Sequence, residues 1–226
     1  MKCIHEFCKM HILLTAATEF EIKPILLILQ KEQYQLNDHT IGILITGVGQ
    51  VNTTYQLTIN LQNKKPDLVI QAGIAGSFSN QLILGETILI KQDGFGDVGM
   101  EEKEKFTTLF DAGFAGKNEF PFTDGWLINT NKILHQSTLP IVKAITVNKV
   151  SDSLLQMRQL KDEFDADIET MEGAAFHYVC LQQKNPFIQI RSISNLVGER
   201  DKSKWQIKNA ISNLNIEVEK LIKQLP

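Results

Sequence analysis

Two kinds of apolar pattern alternate along the chain. Runs of consecutive apolar residues, such as residues 11–17, are typical of strands buried on both faces of a sheet. Stretches with apolar residues three and four positions apart, such as residues 19–30, predict amphipathic helices. The same criteria predict further strands at residues 40–46, 67–71, 86–91, 141–147, 166–169 and 187–192, and further helices at residues 51–61, 153–163, 173–183 and 203–225.

Strands that alternate with helices predict an α/β fold. The expected architecture is a single-domain three-layer sandwich, with a mostly parallel mixed central sheet and helices on both faces. Residues 1–9 are interpreted as a loose leader and residues 10–226 as the domain. Residues 93–131 are poorly patterned and too long for a plain connection, and loops of this size are typically lids or binding loops. Ligands of such sheets bind at the carboxyl ends of strands, so we expect the chemistry there.

The composition excludes several classes of protein. Of 226 residues, 43% are hydrophobic and 22% are charged, which excludes a disordered or fibrous chain. A formal net charge of -3 offers no broad attraction to phosphate backbones or anionic lipid, so we expect neither nucleic acid nor membrane as a partner. No apolar run approaches the roughly 18 residues of a membrane helix. We expect a soluble cytoplasmic protein.

The cysteines argue against both disulfides and a metal. Cys3, Cys8 and Cys180 are too few and too unevenly spaced for a disulfide framework. Cys3 and Cys8 alternate with His5 and His11, but this spacing matches none of the usual zinc patterns. We therefore predict no metal site.

Two glycine-rich segments follow predicted strands. GVGQVN, residues 47–52, lacks the third glycine of the G-x-G-x-x-G dinucleotide motif, and no acidic residue follows at the required distance. We expect a tight turn that directs backbone N–H groups towards a ligand. GIAGS, residues 73–77, predicts a second turn after a strand. Its small residues, including Ala75 and Gly76, either admit a flat ligand or simply form the turn.

Three further segments place polar side chains at strand ends. TAATEFEI puts Glu19 and Glu21 in the first turn of a helix, where the helix dipole alone would favour acidic residues. TMEGAAF puts Glu172 at the start of a small apolar helix, and a carboxylate in packed surroundings needs a partner. RSISNLVGERD puts Asn195 just beyond a buried strand, where asparagine is usually a turn or cap residue.

Together these segments identify a family. TAATEFEI, GVGQVN, QAGIAGSF, ETMEGAAF and RSISN, in this order, resemble the nucleoside phosphorylase and nucleosidase superfamily over residues 10–225. GFGDVGMEE and SNLVGERDKSKW are most similar to its futalosine-hydrolysing members, the nucleosidases of menaquinone biosynthesis. The resemblance implies the superfamily's fold, a small purine nucleoside as substrate and no cofactor. It also implies a homodimer or higher homo-oligomer.

The resemblance also implies roles for individual residues. Glu21 takes the position of the glutamate that activates the attacking water in the related methylthioadenosine and adenosylhomocysteine nucleosidases, with Glu19 as the nearby alternative. Met171 and Glu172 match the pair that lies beneath the sugar and binds its hydroxyls. This suits glycosidic cleavage, because anionic groups stabilise an oxocarbenium-like state while one carboxylate accepts the proton of water.

Asn195 departs from the adenine-specific nucleosidases, which carry a proton-donating aspartate at this position. An amide cannot act as a general acid, but it can donate both of its N–H groups. A 6-oxopurine presents two acceptors, N7 and O6, to such donors. Asparagine also pairs with adenine through one donor and one acceptor, so both bases stay open.

The choice between water and phosphate as the nucleophile depends on arginine. Arg158, Arg191 and Arg200 are the only arginines, and Arg158 lies on a predicted solvated helix. Because guanidinium groups hold phosphate best, water is preferred, although lysine or backbone N–H groups can also bind phosphate. Arg200 or Lys149 is a candidate for the benzoate end of futalosine. Phe95 is expected either to cover the substrate or to lie in the core.

Overall fold

The computed structural model describes residues 9–103, 105–150 and 153–226. Within them the strands are β1 (His11–Ala16), β2 (Gln35–Leu36), β3 (His39–Ile45), β4 (Leu68–Ser77), β5 (Thr87–Phe95), β6 (Gly99–Glu102), β7 (Lys105–Thr108), β8 (Leu127–Ile128), β9 (Ile141–Thr146), β10 (Ile168–Thr170) and β11 (Phe187–Leu196). The α-helices are α1 (Glu19–Lys31), α2 (Gln50–Asn63), α3 (Leu154–Phe164), α4 (Gly173–Gln183) and α5 (Ile207–Lys223).

The sheet is mixed and partly closed. Its strands follow the order β10-β9-β5-β11-β4-β1-β3-β2, and β10 also pairs with β4. Strands β4, β11, β5, β9 and β10 therefore form a ring. The pairs β1–β3, β1–β4, β4–β11, β5–β9 and β9–β10 are parallel, whereas β5–β11 and β4–β10 are antiparallel. Strands β6 and β7 form a separate hairpin.

The core divides along the sheet. Helices α1 and α5 pack on one face, where their apolar stripes meet β1, β4 and β11. Helices α2 and α4 pack together on the other face. Strands β4, β5, β9, β10 and β11 all contribute to a third apolar cluster, which fills the ring. Burial of these apolar surfaces stabilises the fold, since it removes them from water.

The predicted single α/β domain with helices on both faces is confirmed, but two local expectations were wrong. Residues 73–77 form no turn, because strand β4 continues through Ser77. Asn195 is not beyond a strand, because β11 runs to Leu196 with an irregularity between Ile193 and Asn195. In both cases β4 and β11 keep pairing with each other, so the hydrogen-bonded ladder extends further than local composition suggested.

The long region after β5 has structure of its own. It includes the β6–β7 hairpin and β8, which pairs with β5. Phe95, the last residue of β5, is half-buried and its ring contacts those of Phe122 and Tyr178. This packing fits the core interpretation of Phe95, and its contact with substrate stays a prediction.

Three further predictions concern the leader, a metal site and membranes. Cys3, His5 and Cys8 lie outside the described residues, so the expectation of a loose leader is untested. Among the described residues, no group of three or more His, Cys, Asp or Glu side chains is placed to hold a metal ion. No helix in the described part of the chain is long and apolar enough to cross a membrane.

Candidate active site

Glu21 lies where β1 turns into α1. Its Oε2 accepts hydrogen bonds from the backbone N and the Oγ1 of Thr18, at 2.9 and 3.0 Å, and so closes the first turn of the helix. Its Oε1 faces the other way, 3.3 Å from the backbone N of Ile74. Glu21 is buried, whereas Glu19 in the same turn is exposed. The structure therefore places Glu21 at the edge of the sheet and turns Glu19 away.

Glu172 lies across the same edge, at the N-terminal cap of α4. Its Oε1 accepts a hydrogen bond of 3.0 Å from the backbone N of Gly49, and its Oε2 lies 3.6 Å from Nη1 of Arg191. Burial raises the pKa of Glu172, as does the negative charge of Glu21, while Arg191 and the N–H of Gly49 oppose this rise. Both carboxylates lie close to Nη1 of Arg191, so they share one region.

Arg191 lies between these acids and is 1% exposed. A Cβ atom at Gly73 would collide with Nη1 of Arg191 and would lie 3.1 Å from Oε1 of Glu21. The guanidinium therefore occupies the space that a side chain at residue 73 would take. Its Nη2 donates a hydrogen bond of 2.7 Å to Oε1 of Gln71 on β4. A buried cation needs such partners.

Sequence reasoning considered Arg191 only as a phosphate ligand and missed this role. The signal was present, because a charged residue stands within the apolar run FIQIRSI of β11. Gln71 in β4 and Gln189 in β11 are similar polar interruptions of buried strands. Polar groups at such positions need partners from other strands, which predicts that they meet.

A buried polar layer lies beneath Arg191. Oγ1 of Thr146 donates to Oδ1 of Asp93 at 2.9 Å and accepts from the backbone N of Ala174 at 2.7 Å. The amide of Gln189 lies beside Asp93 and His177 without a well-formed hydrogen bond. Burial raises the pKa of Asp93 to about 7 and lowers the pKa of His177 to about 4. At neutral pH the imidazole is therefore uncharged.

The glycine turn before α2 binds a side chain of the same chain. Gly47 and Gly49 have φ values of 84° and 91°, which favour glycine. The turn directs the N–H of Gly49 at Glu172, so the expected backbone donor is used on a carboxylate of the chain. This ties the N-terminus of α2 to that of α4.

Asn195 lies at the end of β11, beside β4. Its Oδ1 accepts a hydrogen bond of 2.7 Å from Oγ of Ser194, and its Nδ2 donates one of 2.8 Å to the carbonyl of Leu196. A Cβ atom at Gly76 would lie 3.3 Å from Nδ2 of Asn195. Ala75, beside Gly76, is buried, and its carbonyl accepts from Oγ of Ser194 at 3.2 Å. These residues lie together where the paired strands β4 and β11 end.

The remaining candidates lie at the margins of this region. Met171 is half-buried, immediately before Glu172 in the turn that joins β10 to α4. Arg158, Arg200 and Lys149 are exposed. None of the three contributes to the buried cluster of Glu21, Glu172 and Arg191.

Comparison with known proteins identifies the family. The family described as the Phosphorylase superfamily matches residues 17–225. The chain belongs to this superfamily. Futalosine hydrolase from Thermus thermophilus is 30% identical over 184 residues, which cover 79% of this chain and 80% of that protein. The 5'-methylthioadenosine/S-adenosylhomocysteine nucleosidase from Buchnera aphidicola is 29% identical over 200 residues, 82% of this chain and 78% of that protein. The predicted class, an N-glycosyl hydrolase of this superfamily, is confirmed.

Solved structures of superfamily members share the fold. The 5'-methylthioadenosine/S-adenosylhomocysteine nucleosidase from Colwellia psychrerythraea, in complex with adenine, has a TM-score of 0.80 at 20% identity and covers 97% of both chains. Native futalosine hydrolase from Helicobacter pylori has a TM-score of 0.77 at 18% identity and covers 95% of this chain and 98% of that one. Overall similarity therefore does not separate the two kinds of nucleosidase.

Proposed function

We propose that the chain hydrolyses the N-glycosidic bond of futalosine and releases hypoxanthine and dehypoxanthinylfutalosine, a step of menaquinone biosynthesis. The observation that carries this proposal is an amide, Asn195, at the site edge instead of a carboxylate. The similarity to the Thermus thermophilus enzyme supports it. The proposed hydrolysis uses water as the nucleophile and needs no cofactor.

Glu21 is proposed as the general base. Its Oε2 is occupied by Thr18, which fixes the carboxylate, while Oε1 is directed towards Ile74 and the guanidinium of Arg191. A water molecule held there would lose its proton to Glu21 as its oxygen attacks C1' of the sugar. Such general base catalysis typically contributes a factor of about 10² to 10⁴.

Glu172 and Met171 are proposed to hold the pentose. The contacts of Glu172 with Gly49 and Arg191 orient its carboxylate and leave lone pairs for sugar hydroxyls, since a carboxylate has about four acceptor sites. Hydrogen bonds from these hydroxyls would strengthen as positive charge develops on the sugar. Ala75, Gly76 and Phe95 are proposed to contact the rest of the substrate.

The position of Arg191 supports water as the nucleophile. Nη2 of its guanidinium donates to Gln71 and its Nη1 lies 3.6 Å from Oε2 of Glu172, while the other arginines, Arg158 and Arg200, are exposed. A phosphorylase would need a cationic site for phosphate. The adenine nucleosidases remain the second candidate, because their members are about as similar to this chain as the Thermus thermophilus enzyme is.

The deciding experiment incubates the purified protein with futalosine, inosine and methylthioadenosine, with and without phosphate, and separates the released bases by chromatography. We expect hypoxanthine from futalosine at a rate that phosphate does not change. Adenine release from methylthioadenosine with futalosine left intact would support the second candidate. A strict phosphate requirement would support a phosphorylase. Gel filtration of the same sample tests the expected homo-oligomer.

Asn195→Asp tests how the base is selected. A neutral aspartic acid can donate to N7 of adenine, and an ionised one repels the N7 and O6 acceptors of hypoxanthine. We expect the ratio of kcat/KM for futalosine to that for methylthioadenosine to fall by about tenfold or more, the size of one lost hydrogen bond in a buried site. An unchanged ratio would contradict the role of Asn195.

A further inference from the structure

Glu169 is a buried carboxylate to which the proposed hydrolysis assigns no role. It lies in β10, is 5% exposed, and its Oε2 has no hydrogen-bond partner among the described residues. A buried acid without a partner is costly in its charged form. Such a group either binds a ligand or keeps its proton.

Strand pairing places Glu169 beside the candidate active site. Glu169 is directly opposite Gly76 in the antiparallel pair of β10 and β4, and side chains of opposed residues lie on the same face. Gly76 has no side chain, and a Cβ atom there would lie 3.3 Å from Nδ2 of Asn195. Glu169 in β10 and Asn195 in β11 therefore lie on either side of Gly76 in β4. Met171, which is proposed to hold the pentose, follows Glu169 by two residues in the chain.

Asn195 alone supplies too few hydrogen-bond donors for the N7 and O6 edge of the base. One N–H of its amide is used on the carbonyl of Leu196, so one remains for a ligand. The N7 and O6 edge of a 6-oxopurine presents two acceptors. A second donor is needed, and Asn195 cannot release a proton to the leaving base.

We propose that Glu169, in its protonated form, donates to this edge and transfers its proton to N7 of the leaving purine. The inference rests on the proposed function. Water loses a proton to Glu21 and its oxygen bonds to C1', while the electron pair of the C1'–N9 bond passes to the purine. The products are the free sugar and the neutral base. Glu169 is left as a carboxylate and Glu21 protonated, and exchange with solvent restores both.

The surroundings of Glu169 favour the protonated acid. Burial raises its pKa to about 7, and the negative charge of Asp97 contributes to the rise. Asp97, in the turn after β5, accepts hydrogen bonds from the backbone and side-chain nitrogens of Asn148. The residues paired with Glu169 in β4 and β9 are Gly76 and Ile145, which do not titrate. A pKa near the working pH is what a general acid needs.

The test is the pH dependence of futalosine hydrolysis by wild type and by Glu169→Gln. For wild type we expect kcat/KM to decline above about pH 7, where Glu169 loses its proton. Glu169→Gln should reduce kcat by about 10²-fold or more and abolish this decline. Asp97→Asn should move the decline to lower pH, because it removes a like charge. Glu101→Gln, an exposed carboxylate on β6, is the matched control and should leave the profile unchanged.

Different results would contradict the proposed function and the role of Glu169. A wild-type protein that leaves futalosine intact would contradict the proposed function and with it this inference. A wild-type protein that cleaves futalosine, with Glu169→Gln equally active or retaining the alkaline decline, would overturn only the role of Glu169. A melting temperature measured for each variant separates loss of folding from loss of proton transfer.

Discussion

Two polar regions lie at the same edge of the sheet and differ in how their groups are paired. The rim consists of Glu21, Glu172 and Arg191, where each carboxylate accepts backbone hydrogen bonds and Nη2 of the guanidinium donates to Gln71. Nε of Arg191 is the one rim atom without a hydrogen-bond partner among the buried side-chain atoms of the described residues. The buried layer beneath consists of Asp93, Thr146, Gln189 and His177. There Oδ2 of Asp93, both amide atoms of Gln189 and Nε2 of His177 lack hydrogen-bond partners among the described residues.

The difference separates groups that are available to bind a substrate from groups that are packed in the interior. The protein pairs each rim carboxylate in part and holds it at the edge of the sheet, so that its remaining lone pairs are available to a substrate. In the layer the polar atoms are fully buried, and missing hydrogen bonds there cost stability. Changes at the rim should therefore alter turnover more than folding, and changes in the layer should do the reverse.

Glu21→Gln should give the largest effect. The amide keeps the shape of the side chain and can still accept from Thr18, but it cannot take a proton from water. We expect kcat to fall by about 10² to 10⁴-fold with the melting temperature nearly unchanged. Glu19→Gln, the exposed acid of the same helical turn, is the control and should retain activity. Wild-type turnover by Glu21→Gln would remove the assignment.

Gly173→Ala should disturb the layer. A Cβ atom at Gly173 would collide with Oδ2 of Asp93 and with Nε2 of Gln189. Because both groups are buried, we expect the free energy of unfolding to fall by about 1–3 kcal/mol, as measured by urea denaturation. Gly116→Ala is the control, since a Cβ atom there meets only ordinary contacts. Equal stability of the two variants would show that Asp93 and Gln189 move aside without loss of stability.

Asp93→Asn should change the pH dependence of stability. The pKa of Asp93 is raised to about 7, above its usual value of 3.8, so its contribution to stability is fully present below about pH 4 and is lost as pH rises to about 7. The neutral amide removes this loss. Urea denaturation at pH 5 and pH 8 should show a smaller fall for the variant, by an amount on the order of 1 kcal/mol. The same fall in both proteins would contradict an elevated pKa.

Much of the fold and some of the site followed from local sequence. Helix α4 was predicted at residues 173–183, its observed bounds, because small apolar residues begin at a strand end. That Glu21 and Glu172 flank one sugar was implied by the resemblance to the superfamily rather than by local pattern. The turn expected at residues 73–77 was wrong, because β4 continues through Ser77. Gly73 instead leaves room for the side chain of Arg191, which is far away along the chain.

The sequence by itself determined which segments form helices and strands, and which acids stand at strand ends, since both depend on periodicity over a few residues. Tertiary structure decided the pairing of those acids. It closed β10 on β4, placed Arg191 between Glu21 and Glu172, and left Oε2 of Glu169 without a hydrogen-bond partner in the described part of the chain. These contacts join residues far apart in the chain, and no local pattern specifies which distant group will occupy the space beside a buried charge.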